Sequence, residues 1–106
     1  MGDRDRFDDN ALLAALRHPL RRRILRLMEE DEPISPRQIS IRLEHPLSNV
    51  SYHVRVLAEC SAIALVFTEP VRGSVQHFYR ASLEAPWARQ VLDSYDGGGE
   101  GETPAA

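Results

Sequence analysis

The sequence predicts a mainly α-helical fold that carries one small β-hairpin, and three observations lead to this prediction. Apolar residues recur at helical spacing in several segments between residues 11 and 60. Two of these segments, 36–43 and 47–60, are short and joined by a tight polar turn, which is typical of a helix-turn-helix. Two β-prone segments, 62–68 and 74–80, follow it. A hairpin in this position is a wing, so the predicted fold is a winged helix-turn-helix with about five helices and a two-stranded wing.

Length and composition predict one small domain. The chain has 106 residues, of which 42% are hydrophobic. We expect a flexible N-terminus over residues 1–8, the domain over 9–95 and a disordered, glycine-rich acidic tail over 96–106. No apolar run approaches the roughly 20 residues of a membrane span. The first residues are charged and lack the apolar core of a signal peptide, so the predicted location is cytoplasmic, with no membrane partner.

The net charge of −3 is unevenly distributed along the chain. Residues 17–80 contain ten arginines against seven acids, whereas the two ends together contain three arginines against nine acids. A mildly basic centre is compatible with nucleic-acid binding, although a solvated surface of mixed charge is the alternative interpretation. All thirteen basic residues are arginine, which suits bidentate contacts to phosphate and guanine.

The first two helices are predicted from caps and apolar stripes. Residues 8–10 offer an N-cap for a helix over residues 11–17, whose apolar face comprises Leu12, Leu13 and Leu16. His18 and Pro19 end this helix, because the residue before a proline avoids the helical conformation. A second helix follows over 20–28, and the acidic run 29–32 reads as a loop. The second helix carries Arg22 and Arg23, which either belong to a solvated helix face or contact phosphate.

The helix-turn-helix is the best-defined part of the sequence. Ser35, Pro36 and Gln38 form a capping box with proline in the first turn, which predicts a helix over 36–43. In the next helix, over residues 47–60, valines and a leucine recur at helical spacing, so we expect this face of the helix to be buried against a core. The opposite face is polar and free of acids until Glu59, as expected of a helix in a DNA major groove, although an ordinary amphipathic surface helix has the same pattern. The polar face comprises Ser48, Asn49, Ser51, Tyr52 and Arg55.

The wing and the last helix complete the domain. The turn between the strands is predicted over 69–73, with Arg72 near its tip, where it can reach a flanking phosphate or the minor groove. The last helix starts at Pro86 and is rich in apolar and aromatic residues. It either closes the core or pairs with a second subunit.

Three motifs together resemble the ArsR-type winged helix-turn-helix regulators. They are the stretches 18–25, which begins with His-Pro-Leu-Arg, 50–57, which reads Val-Ser-Tyr-His-Val-Arg-Val-Leu, and the wing 71–80. The resemblance covers residues 10–95, in the order and spacing of the family. It implies a homodimeric, sequence-specific regulator of transcription that binds double-stranded DNA, expected to be a repressor, with helix 47–60 in the major groove and wing 69–74 on the flanking backbone or minor groove.

The resemblance also implies which residues have which role. The groove-facing set is Ser48, Asn49, Ser51, Tyr52 and Arg55, and Arg72 is the wing contact. His53 matches a family histidine, for which packing behind the helix is favoured over base contact. The first and last helices are expected in the dimer interface, with Leu12, Leu13, Trp87, Val91, Leu92 and Tyr95.

The departures from the family predict a protein without a metal or other cofactor. Metal-sensing members carry a Cys-x-Cys pair in the helix before the recognition helix, and residues 35–43 contain neither cysteine nor histidine. The last helix region offers Glu84 and Asp93 but no histidine. No catalytic motif is visible, so we predict that the protein is not an enzyme. Cys60, the single cysteine, is interpreted as a buried structural thiol, with a redox switch as the alternative.

A winged helix can also bind proteins rather than DNA. The acidic ends of the chain and its modest central charge keep this second hypothesis open, namely a winged-helix protein-interaction module without specific DNA binding.

Overall fold

The computed structural model describes the backbone of residues 2–102 and the side chains of residues 9–95. The predictions made for residues 1–8 and 96–106 concern segments whose side chains lie outside the described residues, and they stay predictions. The predicted fold class is confirmed, since the described chain folds into five helices and one antiparallel hairpin. The elements are α1 (Gly2–Ala15), α2 (Pro19–Glu30), α3 (Pro36–Leu43), α4 (Leu47–Glu59), β1 (Ile63–Val71), β2 (Ser74–Ala81) and α5 (Pro86–Glu102).

The start of α1 differs from the prediction. The helix begins at Gly2, so Asp9 and Asn10 lie inside it rather than capping it. Residues 3–15 contain neither proline nor glycine, so no helix breaker separates the predicted cap from the preceding residues. At the other end, the guanidinium of Arg22 donates a 2.8 Å hydrogen bond to the carbonyl of Leu16, which satisfies one of the acceptors left free where α1 ends.

The second helix also extends beyond its predicted bounds. Its N-cap is His18, whose Nδ1 accepts a 3.2 Å hydrogen bond from the backbone N–H of Leu20. At its C-terminal end, Glu29 and Glu30 are helical, so the prediction of a loop over 29–32 was wrong for these two residues. The acids are accommodated because Glu29 accepts a 3.0 Å hydrogen bond from Arg26, one turn earlier on the same helix.

The capping box of α3 is confirmed. The Ser35 hydroxyl accepts from the backbone N–H of Gln38 at 3.2 Å, and the Gln38 side chain accepts from the backbone N–H of Ser35 at 3.0 Å. The helix ends at Leu43, and its C-cap Glu44 is in the left-handed conformation, with φ of 55°. In the turn that follows, the Ser40 hydroxyl donates a 2.5 Å hydrogen bond to the carbonyl of His45. The turn therefore holds α3 and α4 in a defined relation.

The hairpin turn is shorter than predicted. Val71 pairs with Ser74, so only Arg72 and Gly73 lie between the strands, and both have positive φ, 46° and 83°. This is the backbone of a two-residue type I′ turn, whose twist matches that of the strands. The predicted turn over 69–73 was therefore wrong in its first three residues. Pro70 is tolerated in β1 because β1 is an edge strand that pairs only with β2 in the described sheet.

A single core joins the helices to the base of the hairpin. Ile34 attaches to the sheet through an isolated bridge with Tyr79, with backbone hydrogen bonds of 2.9 and 3.0 Å. Cys60 is buried, and its thiol donates to the carbonyl of Leu57 at 3.5 Å, in keeping with a structural thiol. The largest fully buried apolar side chains are Leu16, Ile24, Leu25, Met28, Ile34, Ile39, Val50, Leu57 and Leu92.

Candidate nucleic-acid interface

Helix α4 has the buried back and polar front that the sequence predicts. Val50, Val54 and Leu57 are between 0 and 2% exposed and face the core. On the opposite side Tyr52 is 55% exposed, Ser48, Asn49 and Arg55 are exposed, and Ser51 is half-buried. The structure therefore brings five of the six predicted DNA-binding residues together on one helix.

The N-terminal end of α4 differs from those of α2 and α3. Both of these helices have side-chain N-caps, whereas α4 follows Pro46 and has no side-chain cap hydrogen bond. The first-turn N–H groups of an α-helix have no acceptor within the helix, and together with the helix dipole they favour an anion. The start of α4 is therefore suited to lie beside a phosphate.

A cleft separates the start of α4 from the wing. Its lining comprises Pro36 and Arg37 at the start of α3, Leu47 and Ser51 on α4, and residues 74–77 of β2. Neither Arg37 nor Leu47 was predicted as a site residue, yet Arg37 is exposed and Leu47 is 43% exposed. Their positions in the first turns of the two helices of the motif were the available signal. An arginine there can reach phosphate, and an exposed leucine can contact a thymine methyl group.

Some of the arginines form hydrogen bonds with other residues of the described chain, and others do not. Hydrogen bonds to described residues are donated by Arg21, Arg22, Arg26, Arg42, Arg80 and Arg89. Arg22 also lies over the ring of Tyr95, 3.9 Å from its centroid, which favours an internal role over the phosphate contact considered for it. Among the side chains of residues 9–95, none forms a hydrogen bond or ion pair with Arg17, Arg23, Arg37, Arg55 or Arg72. Of these, Arg37, Arg55 and Arg72 lie on α3, α4 and the wing.

Arg72 occupies the tip of the wing. It is the first residue of the type I′ turn and its side chain is exposed. β2 packs against α3 and β1 packs against α4, so the base of the wing is attached to both helices of the motif. The wing is therefore fixed relative to α4, as a flanking contact requires.

His53 is packed behind the recognition helix rather than on its front. It is 9% exposed, and its Nδ1 accepts a 2.9 Å hydrogen bond from Nε of Arg21 on α2. Burial, followed by the charges of His18, Arg21 and His45, lowers the pKa of His53 from its usual 6.5. This environment matches the packed interpretation of the histidine.

The six residues predicted at a dimer interface are not equally available to a partner. Leu13 and Tyr95 are 38% and 39% exposed, while Trp87 and Val91 are half-buried. Leu92 is fully buried and Leu12 is 7% exposed, so both pack into the core of a single protomer. The last helix therefore closes the core through Leu92, and the other four residues of the predicted set remain at least partly exposed.

Among residues 9–95, no group of three histidine, cysteine, aspartate or glutamate side chains is placed to hold a metal ion. No described helix is both long and apolar enough to span a membrane.

Comparisons with known proteins agree with this architecture. Residues 16–66 match a family model described as a helix-turn-helix domain. No curated protein sequence matches the chain. Among solved structures, reduced HlyU from Vibrio cholerae N16961 is similar, with a TM-score of 0.61 and 20% sequence identity over 88% of this chain and 90% of that one. The helix-turn-helix of α3 and α4, the hairpin that follows it and this structural similarity establish that the chain has the winged helix-turn-helix fold.

Proposed function

We propose that this protein is a sequence-specific double-stranded-DNA-binding regulator of transcription. In this proposal residues 47–60 occupy the major groove, and the wing 69–74 lies on the flanking backbone or minor groove. The observation that carries the proposal is the distribution of the arginines. On the surface formed by α3, α4 and the wing, Arg37, Arg55 and Arg72 are exposed and have no partner among the described side chains. Arg17 and Arg23 lie outside this surface and also have none, whereas Arg21 and Arg22 are held internally.

The polar residues of this surface have two different tasks. Asn49 and Arg55 carry the side chains that pair in bidentate fashion with adenine and guanine, so we assign base reading to them. Ser48, Ser51 and Tyr52 can add hydrogen bonds to bases or phosphates. Arg37 and Arg72 lie outside α4 and are assigned to phosphates, which fix the register of the protein on the duplex.

We further propose that the protein acts as a homodimer, as an ArsR-type regulator and as a repressor, in the cytoplasm. The resemblance of the three motifs supports the dimer, the ArsR-type family and the repressor role. A second argument for the dimer is specificity, because one short helix with five polar side chains reads only a few base pairs. Two copies related by symmetry would read two half-sites roughly 10 bp apart, centre to centre.

Selection of bound sequences from a random pool of duplex DNA by the purified protein tests the proposal directly. We expect an enriched, palindromic sequence whose half-sites are about one helical turn apart. Enrichment of a single half-site would support DNA reading but contradict the dimer. The absence of any enriched sequence would contradict sequence-specific binding.

A protein-interaction module is the second candidate function. The observation in its favour is the apolar surface of the wing, where Leu65, Phe67 and Val75 are 52%, 45% and 53% exposed. Phe67 also stacks on Phe78 of the neighbouring strand, with 4.6 Å between ring centroids. A gel-shift titration with random duplex DNA at low salt separates the two functions. Retardation at micromolar protein supports DNA binding, and its absence supports the interaction module.

A further inference from the structure

Histidines from three segments of the chain lie close together where α4 meets α2, with His53 buried, His45 half-buried and His18 exposed. His53 is on α4, His18 caps α2, and His45 lies in the turn between α3 and α4. The rings of His18 and His53 are 4.4 Å apart between centroids, and the ring of Tyr52 contacts His53 edge-on at 5.1 Å. This cluster, His18, His45, His53 and Arg21, connects α4 to α2.

The hydrogen bonds of the cluster require unprotonated nitrogens. Nδ1 of His53 accepts from Nε of Arg21 at 2.9 Å, and Nδ1 of His18 accepts from the backbone N–H of Leu20 at 3.2 Å. A histidine nitrogen accepts a hydrogen bond only while it carries no proton. Protonation of His53 at Nδ1 would replace the acceptor with a donor that faces the N–H of Arg21.

The surroundings of His53 also oppose a positive charge. Burial has the largest effect, and the charges of His18, Arg21 and His45 act in the same direction, so the pKa of His53 is lowered from 6.5. None of the described groups that shift this pKa is an acid. Nδ1 of His45 is itself buried and has no hydrogen-bond partner among the described residues. No described group thus compensates a charge on His53.

We propose that this cluster is a pH-sensitive latch that holds the recognition helix to α2 only while His53 is neutral. Because His53 binds a proton less readily in the folded chain, its contribution to stability is complete above about pH 6.5 and is lost as the pH falls through its lowered pKa. The front of α4 is positioned by the same helix, so acid loosens the surface assigned to DNA. The latch itself acts on the fold and does not depend on the proposed function.

Replacement of His53 by a side chain that does not titrate tests the latch. The amide oxygen of His53→Gln can accept from Arg21 at every pH. The matched control is His77→Gln, because His77 is exposed on the wing. Urea unfolding of the full chain is compared at about pH 7.5 and about pH 5.5. Each unit by which the pKa of His53 lies below 6.5 corresponds to about a tenfold change in the folding equilibrium constant over the complete titration.

We expect the wild type and His77→Gln to lose stability on acidification and His53→Gln to lose less. Equal losses in the wild type and His53→Gln would overturn the proposal. A second measurement needs only the wild type, namely an NMR titration of the imidazole and of the backbone amides of α4. We expect His53 to titrate below pH 6.5, together with the α4 amides. Titration of His53 at or above this value, or α4 amides that do not respond, would also overturn it.

Discussion

Arg72 adopts a backbone conformation that is unfavourable for an arginine. Its φ of 46° is favourable for glycine and asparagine, whereas a larger side chain pays a steric cost in this conformation. Gly73, the second residue of the turn, suits its φ of 83°. An arginine in the first position therefore weakens the turn that it occupies. The turn geometry therefore does not account for an arginine at this position, which agrees with the phosphate contact proposed for its side chain.

The substitution Arg72→Asn removes the charge of the side chain without disfavouring the turn, so it tests the two contributions separately. Asn-Gly is the preferred sequence for a type I′ turn, so we expect an unchanged or higher free energy of unfolding. DNA affinity should fall on all sequences alike, and the slope of log affinity against log salt should become shallower by about 1. Fluorescence anisotropy at several salt concentrations measures both, with Arg72→Lys as the charge-retaining control. An affinity equal to that of the wild type would contradict the phosphate contact.

The two residues assigned to base reading should behave differently from Arg72. We expect Asn49→Ala and Arg55→Ala to change the preference at particular base pairs, by about 1–3 kcal/mol each, because a bidentate pair to one base is lost. Binding to a set of operator variants with single base-pair changes measures this preference. A uniform loss of affinity on every sequence would reassign the residue to the backbone.

At the scale of elements, α5 is held to α2 by ion pairs, while Leu92 packs α5 into the common core. Glu29 on α2 accepts hydrogen bonds from Arg89 on α5 and from Arg26 on its own helix. Arg26 also pairs with Asp93 on α5 at 2.5 Å. Burial raises the pKa of the Glu29 carboxyl, but the hydrogen bonds and charges of Arg89 and Arg26 outweigh burial and hold it below 4.5. The last helix is thus attached through a charged network that is only partly exposed to solvent.

Glu29→Gln should lower the free energy of unfolding at neutral pH by roughly 1 kcal/mol, since two partly exposed ion pairs lose their acid. The lowered pKa means that the contribution of Glu29 is present above pH 4.5 and is lost as the pH falls through the folded value. The difference from the wild type should therefore shrink in acid. Urea unfolding as a function of pH measures it. Glu30→Gln, the exposed neighbouring glutamate, is the matched control and should have little effect.

At the scale of the whole molecule, the proposed dimer would use those predicted interface residues that remain exposed on the protomer. The molecule is flat, with extents of 43 × 41 × 21 Å. Leu13 and Tyr95 are the most exposed of the residues predicted for the interface, one near the end of α1 and the other on α5. Tyr95 is already covered on one face by Arg22. Leu13 is therefore the better position at which to test the proposed interface by substitution.

We expect Leu13→Glu to shift the protein from dimer to monomer, because the change places a charge among the apolar residues of the proposed interface. Sedimentation equilibrium measures the molecular mass in solution. The matched control is Ile41→Glu, the same kind of change at a residue of α3 that is 67% exposed and outside the proposed interface. A dimer that persists in Leu13→Glu would place the interface elsewhere, and a wild-type monomer would contradict the dimer itself.

The local elements of this protein were predictable from its sequence because their signals are local. Ser35 and Gln38 are three residues apart and satisfy each other's backbone, so the capping box identifies the start of α3 without any tertiary contact. The stripe of Val50, Val54 and Leu57 likewise identifies the buried face of α4. The same pattern assigned five polar residues to the opposite face, as observed.

Other features were decided only by the tertiary structure, because they depend on contacts between residues that are distant in the sequence. His53 is held by Arg21, 32 positions away, and Glu29 by Arg89, 60 positions away, so no local pattern could reveal either pair. The length of the wing turn depended on strand register, which pairs Val71 with Ser74 and leaves Arg72 at the tip. The sequence by itself determined the helix-turn-helix and its polar face, because caps and periodicity act within a few residues. Only the folded chain decided which arginines stay free, because that depends on which acids, carbonyls and rings packing brings within reach.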